Sequence, residues 1–224
     1  MGGKTALIAG STGLVGRELL SILLHAKEYD KVISLVRSPQ GINHSKLVEK
    51  VVDFDHLHAV QESFKADDIF CCLGTTIKKA RTQEAMAKVD VDYPLSMARL
   101  GKQEGAKQFV IISSMSANPN SSIWYSRMKG NLEEQLTQID IPALQIVRPS
   151  LLLGDRKEFR LGESVAGRLF PLLSFAFFGP LRKYRAIQAK TVAQAMYHIA
   201  QQGRPGVNIY LSDRIEDASK QKNL

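Results

Sequence analysis

A short apolar run that stops at three evenly spaced glycines, ALIAGSTGLVG at residues 6 to 16, constrains this chain more than any other stretch. Gly10, Gly13 and Gly16 follow a predicted strand over 4–9 and open a predicted helix over 14–25, where Leu14, Leu20, Leu23 and Leu24 recur at helical spacing. That order sets the helix N-terminus, with its free N–H groups and positive dipole end, at the edge of a sheet, where an anion is favoured. Each glycine has its own task. Gly10 permits the sharp turn, Gly13 lets a pyrophosphate approach the backbone, and Gly16 allows the helix to pack closely on the sheet. The pattern predicts a phosphate cradle for a dinucleotide.

The alternation continues along the chain. Apolar runs at 31–36, 50–53, 68–73, 108–113, 143–148 and 207–211 are separated by helical patterns, among them 83–103 and 121–138. Such a sequence predicts an α/β class: a doubly wound parallel Rossmann sheet of about seven strands. With 224 residues, 44% of them hydrophobic, the chain can bury one sizeable core, so residues 1–224 read as a single dinucleotide-binding domain. The stretch 150–189, rich in Leu, Phe, Pro and Arg, breaks the alternation and reads as a small substrate-side lobe. Within it the apolar segment 170–181, bounded by Pro171 and Gly179-Pro180, fits either core packing of that lobe or a lid. The last dozen residues, DRIEDASKQKNL, read as a polar, frayed end.

Composition narrows the function classes. The N-terminus lacks the features of a secretory signal, and the longest apolar segment, FPLLSFAFFGPL, is too short and too broken to span a bilayer. The expectation is a soluble cytoplasmic protein. Cys71 and Cys72 are adjacent, which suits neither a disulfide framework nor a zinc site, and no metal is expected. The net charge of +8 is dispersed over Lys78-Lys79-Arg81, Arg156-Lys157-Arg160 and Arg182-Lys183-Arg185. Loop clusters of this kind suit an anionic small ligand better than nucleic acid.

The second predicted strand decides which dinucleotide is expected. Asp30 precedes that strand and lies at the wrong end to meet a ribose. At the correct end stands Arg37, a forked cation suited to a 2′-phosphate, so NADP(H) is expected over NAD. Asp53 and Phe54 after the third strand, and Leu73 to Thr76 after the fourth, fall on the same rim.

A second constellation supplies chemistry. Tyr125 and Lys129, in YSRMK, are four apart and share one face of a predicted helix. A phenol titrates near 10, so a neighbouring ammonium is what makes it useful near neutral pH. Ser113-Ser114 ends the fifth predicted strand, where a hydroxyl can hold a substrate carbonyl while the tyrosine gives or takes its proton.

GxxGxxG after the first strand, Ser-Ser ending the fifth, YxxxK on the next helix and RPSLLLG after the sixth together resemble the short-chain dehydrogenase/reductase superfamily, of the atypical or extended kind. VVDF, CCLGTT with basic residues after it, VDVDY, YSRMKGNLE and RPSLLLGDR are more specifically similar to the Tat-interacting oxidoreductase-like proteins, a group associated with NADPH binding. By position, the resemblance implies a phosphate turn of Gly10, Ser11, Thr12, Gly13, Leu14, Val15 and Gly16, with Arg37 on the 2′-phosphate. It sets Asp53 and Phe54 beside the adenine, Leu73, Gly74 and Thr75 near the ribose, and Arg148, Pro149 and Ser150 around the nicotinamide. Ser114, Tyr125 and Lys129 become the catalytic set, the last two also touching the cofactor, with Ser113 as the alternative serine. One departure stands out: many short-chain reductases carry an asparagine in the helix before strand five, and this chain has Asp90.

The implied function is an NADPH-dependent carbonyl reductase acting on a small-molecule carbonyl substrate, as a monomer or homodimer. The alternative is a non-catalytic NADPH-binding regulator that signals cofactor occupancy to a protein partner.

Overall fold

The computed structural model describes residues 2–154 and 179–221. Seven parallel strands build the main sheet: β1 (Lys4–Ala9), β2 (Tyr29–Val36), β3 (Leu47–Val51), β4 (Asp68–Cys71), β5 (Gln108–Ile112), β6 (Ala143–Arg148) and β9 (Gly206–Leu211). Their order is β3-β2-β1-β4-β5-β6-β9, so the winding reverses between β1 and β4. At that reversal the C-terminal strand ends open a crevice, the usual place for a ligand in such sheets.

Both faces of the sheet are covered, which is why its central strands are almost continuously apolar. In β1, Ala6 and Ile8 pack toward α1 (Leu14–His25) and α6 (Ala189–Gln202), while Leu7 and Ala9 pack toward α4 (Tyr93–Gln103) and α5 (Trp124–Gln138). All four residues are fully buried. The expected Rossmann sheet is therefore present, with its two layers of helix.

Several boundaries differ from the expected ones. The strands at 29–36 and 47–51 begin before 31 and 50, and β3 stops two residues short of 53 because Asp53 caps a 3-10 helix over Phe54–Phe64. The helix expected over 83–103 is preceded by a short α2 (Ile77–Ala80) and is itself divided into α3 (Gln83–Ala87), a π turn (Lys88–Asp92) and α4. The cause is Pro94 in the first turn of α4. Proline has no N–H to give the Asp90 carbonyl and its ring crowds that oxygen, so the helix widens and the Tyr93 N–H bonds Lys88 O instead.

The C-terminal expectation is corrected. Residues 212–219 form α7 (Ser212–Ser219), in which Ile215 and Ala218, three apart, are buried against α6. An apolar pair at helical spacing is enough to dock a helix that is otherwise polar. Arg182 adds ion pairs to Glu216 at 3.4 Å and Asp217 at 3.0 Å.

Of the expected substrate lobe, the two ends are visible: β7 (Leu152–Leu153) pairs in parallel with β8 (Ile187–Gln188), and a 3-10 turn over Gly179–Tyr184 leads into β8. The apolar segment up to 178 and the cluster Arg156-Lys157-Arg160 lie outside the described residues.

Candidate active site

The glycine turn joins β1 to α1 beneath the crevice. Gly10 has φ +83°, and a Cβ on it would lie 2.5 Å from the Cys72 carbonyl oxygen, so both conformation and packing require glycine. A Cβ on Gly16 would lie 2.0 Å from the Gly10 carbonyl oxygen. Gly13 is different: its φ is −78°, it is exposed, and a Cβ would meet nothing closer than Gly10 O at 3.2 Å. The fold demands glycine there less strictly than at Gly10 or Gly16, where the clash is far closer. Gly13 is the N-cap of helix α1 and supplies no side-chain cap, leaving the first N–H groups of the helix for an anion.

The rest of the turn divides between fold and rim. Ser11 is buried and accepts a hydrogen bond from Ser34 Oγ at 2.8 Å, tying the turn to β2. Val15 is buried in the core, Leu14 is half-buried against it, and Thr12 is exposed. Arg37 stands exposed just past the C-terminal end of β2. Asp30 lies at the opposite end, where it accepts from Gly3 N at 2.5 Å.

Asp53 uses its carboxylate locally, accepting from Asp55 N at 3.0 Å and contacting His56 Nδ1 at 2.8 Å. These hydrogen bonds, with the backbone one foremost, hold it below the usual carboxylate range. Phe54 is buried, with its ring 5.4 Å from that of Tyr93.

Deeper in the crevice, one pocket is lined by Gly74, Asp90, Ser114, Tyr125, Lys129 and Pro149, with Leu73, Ser113 and Ser150 beside them. Residues that follow the C-terminal ends of β4, β5 and β6 thus converge with ones from the π turn and α5, although they are far apart in sequence. Lys129 is buried, and its ammonium lies 2.7 Å from Asp90 Oδ1. The other carboxylate oxygen of Asp90 accepts from Thr75 N at 2.8 Å. Burial is the strongest single influence and favours a neutral lysine, but the charge of Asp90, its hydrogen bond and the other neighbouring groups together exceed it, and Lys129 titrates above the ordinary lysine range. Cys71, fully buried beneath the pair, has its thiol pushed up to about 12 by burial and is neutral.

A second buried network was not apparent from the sequence. Glu133 accepts from the Ser113 hydroxyl and, in a bidentate pair, from Arg148, whose Nε lies 3.0 Å from each carboxylate oxygen. Ser113 and Arg148 are therefore turned toward α5. Ser114 is half-exposed in the pocket, its Oγ 3.0 Å from Ser116 Oγ. The available signal was spacing: Tyr125, Lys129 and Glu133 are four apart and share one helix face. Ser150 donates its hydroxyl proton to the Arg185 carbonyl and accepts from Ser212, which fastens the end of β6 to the β8 approach and α7.

Comparison with known proteins agrees with this architecture. The sequence profile of the family named HIM1 matches residues 25–173. Protein HTATIP2 of Rattus norvegicus is 34% identical over 200 residues, covering 88% of this chain and 81% of its own. The chain belongs to the HIM1 family. Its membership bears out the resemblance to Tat-interacting proteins of the atypical short-chain dehydrogenase type. The mitochondrial protein FMP52 of Debaryomyces hansenii is 30% identical over 202 residues, 88% of this chain and 87% of its own. Among solved structures, a UDP-N-acetylglucosamine 4-epimerase from Methanobrevibacter ruminantium M1 superposes with a TM-score of 0.70 at 17% identity, covering 94% of this chain and 77% of that one. The Bordetella bronchiseptica enzyme WbmH, solved with NAD+, gives 0.69 at 16% identity, over 93% and 76%. At such identities the likeness is one of fold.

One expectation is overturned by these relatives. Several relatives of this chain, among them FMP52 of Candida albicans at 29% identity over 94% of this chain, are named mitochondrial, so the cytoplasmic assignment does not stand. It rested on the lack of a secretory signal and of a long apolar span, and neither separates the cytoplasm from a mitochondrial compartment. No helix among the described residues is long and apolar enough to cross a membrane.

Proposed function

We propose that this member of the HIM1 family is an NADPH-dependent oxidoreductase that reduces a small carbonyl compound. The observation that carries the reading is the convergence of Ser114, Tyr125 and the buried Lys129 in one pocket at the C-terminal edge of the sheet that also carries the β1–α1 glycine turn. The turn fits a dinucleotide: Gly13 and the uncapped start of α1 would hold the pyrophosphate, and Arg37 a 2′-phosphate. Gly74 and Thr75 would flank the ribose, which Lys129 would also reach. When bound, the cofactor supplies the hydride that the carbonyl carbon accepts. Ser114 then holds the carbonyl oxygen, Tyr125 delivers a proton to it, and Lys129 orients and polarises the phenol.

The test is isotopic. NADPH deuterated at the transferred position is incubated with the protein and a panel of aldehydes and ketones, and the alcohols are weighed by mass spectrometry. Deuterium on the former carbonyl carbon is the expected result. Tight NADPH binding with no labelled alcohol from any compound would contradict the reductase and favour a cofactor-sensing protein.

A further inference from the structure

We propose that the groove between β9 and α7 is a second ligand site, one that takes a small organic phosphate through the guanidinium groups of Arg204 and Arg214. The groove has a volume of about 340 Å³ and lies between the edge strand of the sheet and one face of α7, where Arg214, Asp217 and Ala218 fall three and four residues apart. It shares no lining residue with the pocket of Ser114, Tyr125 and Lys129. In the sheet, β9 stands four places from β1. At about 4.8 Å per strand this is roughly 19 Å, so a pyrophosphate on the glycine turn does not fill the groove.

What the groove leaves unengaged is positive charge. Among the described residues neither Arg204 nor Arg214 has an ion-pair or side-chain hydrogen-bond partner, whereas Asp217, the acid in the lining, is taken by Arg182 at 3.0 Å. The neutral groups are engaged as well. Gln202 donates to Gln221, and Tyr210 donates to Gln145 at 3.0 Å. The Asn208 amide donates to the carbonyls of Arg204 at 3.3 Å and Pro205 at 3.2 Å, which holds the loop that carries Arg204. Burial raises the titration of the Tyr210 phenol and the Arg204 charge opposes it, so that guanidinium is felt inside the groove. Two unpaired guanidinium groups on one concave wall match the oxygens of a phosphate, which each can hold by a pair of parallel hydrogen bonds. Ile209, 48% exposed in the same lining, offers an apolar seat to the body of the ligand. A phosphate monoester with a compact apolar or ring-shaped body therefore fits better than a bare ion.

Calorimetric titration tests the site, with phenyl phosphate and inorganic phosphate as probes, with and without excess NADPH, at physiological ionic strength so that long-range attraction is screened. Phenyl phosphate should bind once per chain, more tightly than inorganic phosphate and equally well in the presence of NADPH. Arg204→Gln and Arg214→Gln should each weaken it by about tenfold or more and leave the affinity for NADPH at that of the parent. Both arginines are exposed, so neither substitution disturbs the core, and melting temperatures check that the variants are folded. Lys220→Gln removes an exposed cation outside the groove lining and should leave the binding unchanged. No binding of phenyl phosphate, or a loss in Lys220→Gln equal to that in the arginine variants, would overturn the proposal, the second by showing only general attraction to a basic protein. Displacement of phenyl phosphate by NADPH would overturn it too, by assigning the probe to the dinucleotide site. The readout needs no carbonyl substrate, so it stands or falls separately from the reductase reading.

Discussion

Lys129 holds a buried charge whose ion-pair partner among the described residues is Asp90, so its removal strands a carboxylate. Lys129→Met is expected to destabilise the fold by about 3–5 kcal/mol, and the double variant Asp90→Asn/Lys129→Met to recover most of that loss. Urea unfolding of the two variants beside the parent measures it; equal losses would mean that the pair is not a unit. The pH dependence follows from the raised lysine value. A group with a raised folded pKa contributes fully below its unfolded value, near 10.4 for lysine, and loses its contribution as pH rises through the higher folded one. The pair therefore weakens only in alkaline solution. Arg37 makes a different kind of prediction, because it lies exposed at the rim. Arg37→Ala should weaken NADPH binding on the order of tenfold to a hundredfold and change NADH little. Calorimetric titration with both dinucleotides decides the point, and equal losses would remove Arg37 from the 2′-phosphate site.

The β1–α1 turn separates what the fold requires from what a ligand requires. Gly10→Ala and Gly16→Ala drive a methyl into backbone oxygens of Cys72 and Gly10, and each should lower the melting temperature markedly. Gly13→Ala should cost within about 1 kcal/mol of stability, the difference between glycine and alanine at a helix N-cap, while weakening NADPH binding strongly. Thermal melts with and without NADPH read both effects, and retained affinity in Gly13→Ala would show that the pyrophosphate sits elsewhere. This turn was legible in the sequence because local chemistry dictates it: an apolar run, three glycines and a helical pattern leave one arrangement. The helix expected over 83–103 was not legible in full. Apolar spacing runs through Lys88–Asp92 without a break, and only the demand of Pro94 on the Asp90 carbonyl shows that the turn must widen. That widening is what brings Asp90 to Lys129.

At the scale of the whole molecule, the seven-stranded parallel sheet was legible from alternation alone, since apolar runs separated by helical patterns require crossovers between parallel strands, whereas the strand order was not. Nor were the partners of the buried charges. Glu133 with Arg148 and Ser113, and Asp90 with Lys129 and Thr75, join segments far apart in the chain, and no local pattern announces a contact that only packing creates. The short α7 escaped notice for a related reason: Ile215 and Ala218 look like strays in a polar tail until α6 offers a face to bury them. The central claim is that this assembled pocket performs proton delivery through Tyr125 while the glycine turn holds the cofactor. Tyr125→Phe removes one hydroxyl and leaves the ring, so the decisive measurement pairs NADPH affinity with carbonyl turnover in parent and variant. The account predicts affinity close to that of the parent and turnover lower by roughly 10²–10⁴-fold. Turnover that survives the substitution would contradict it.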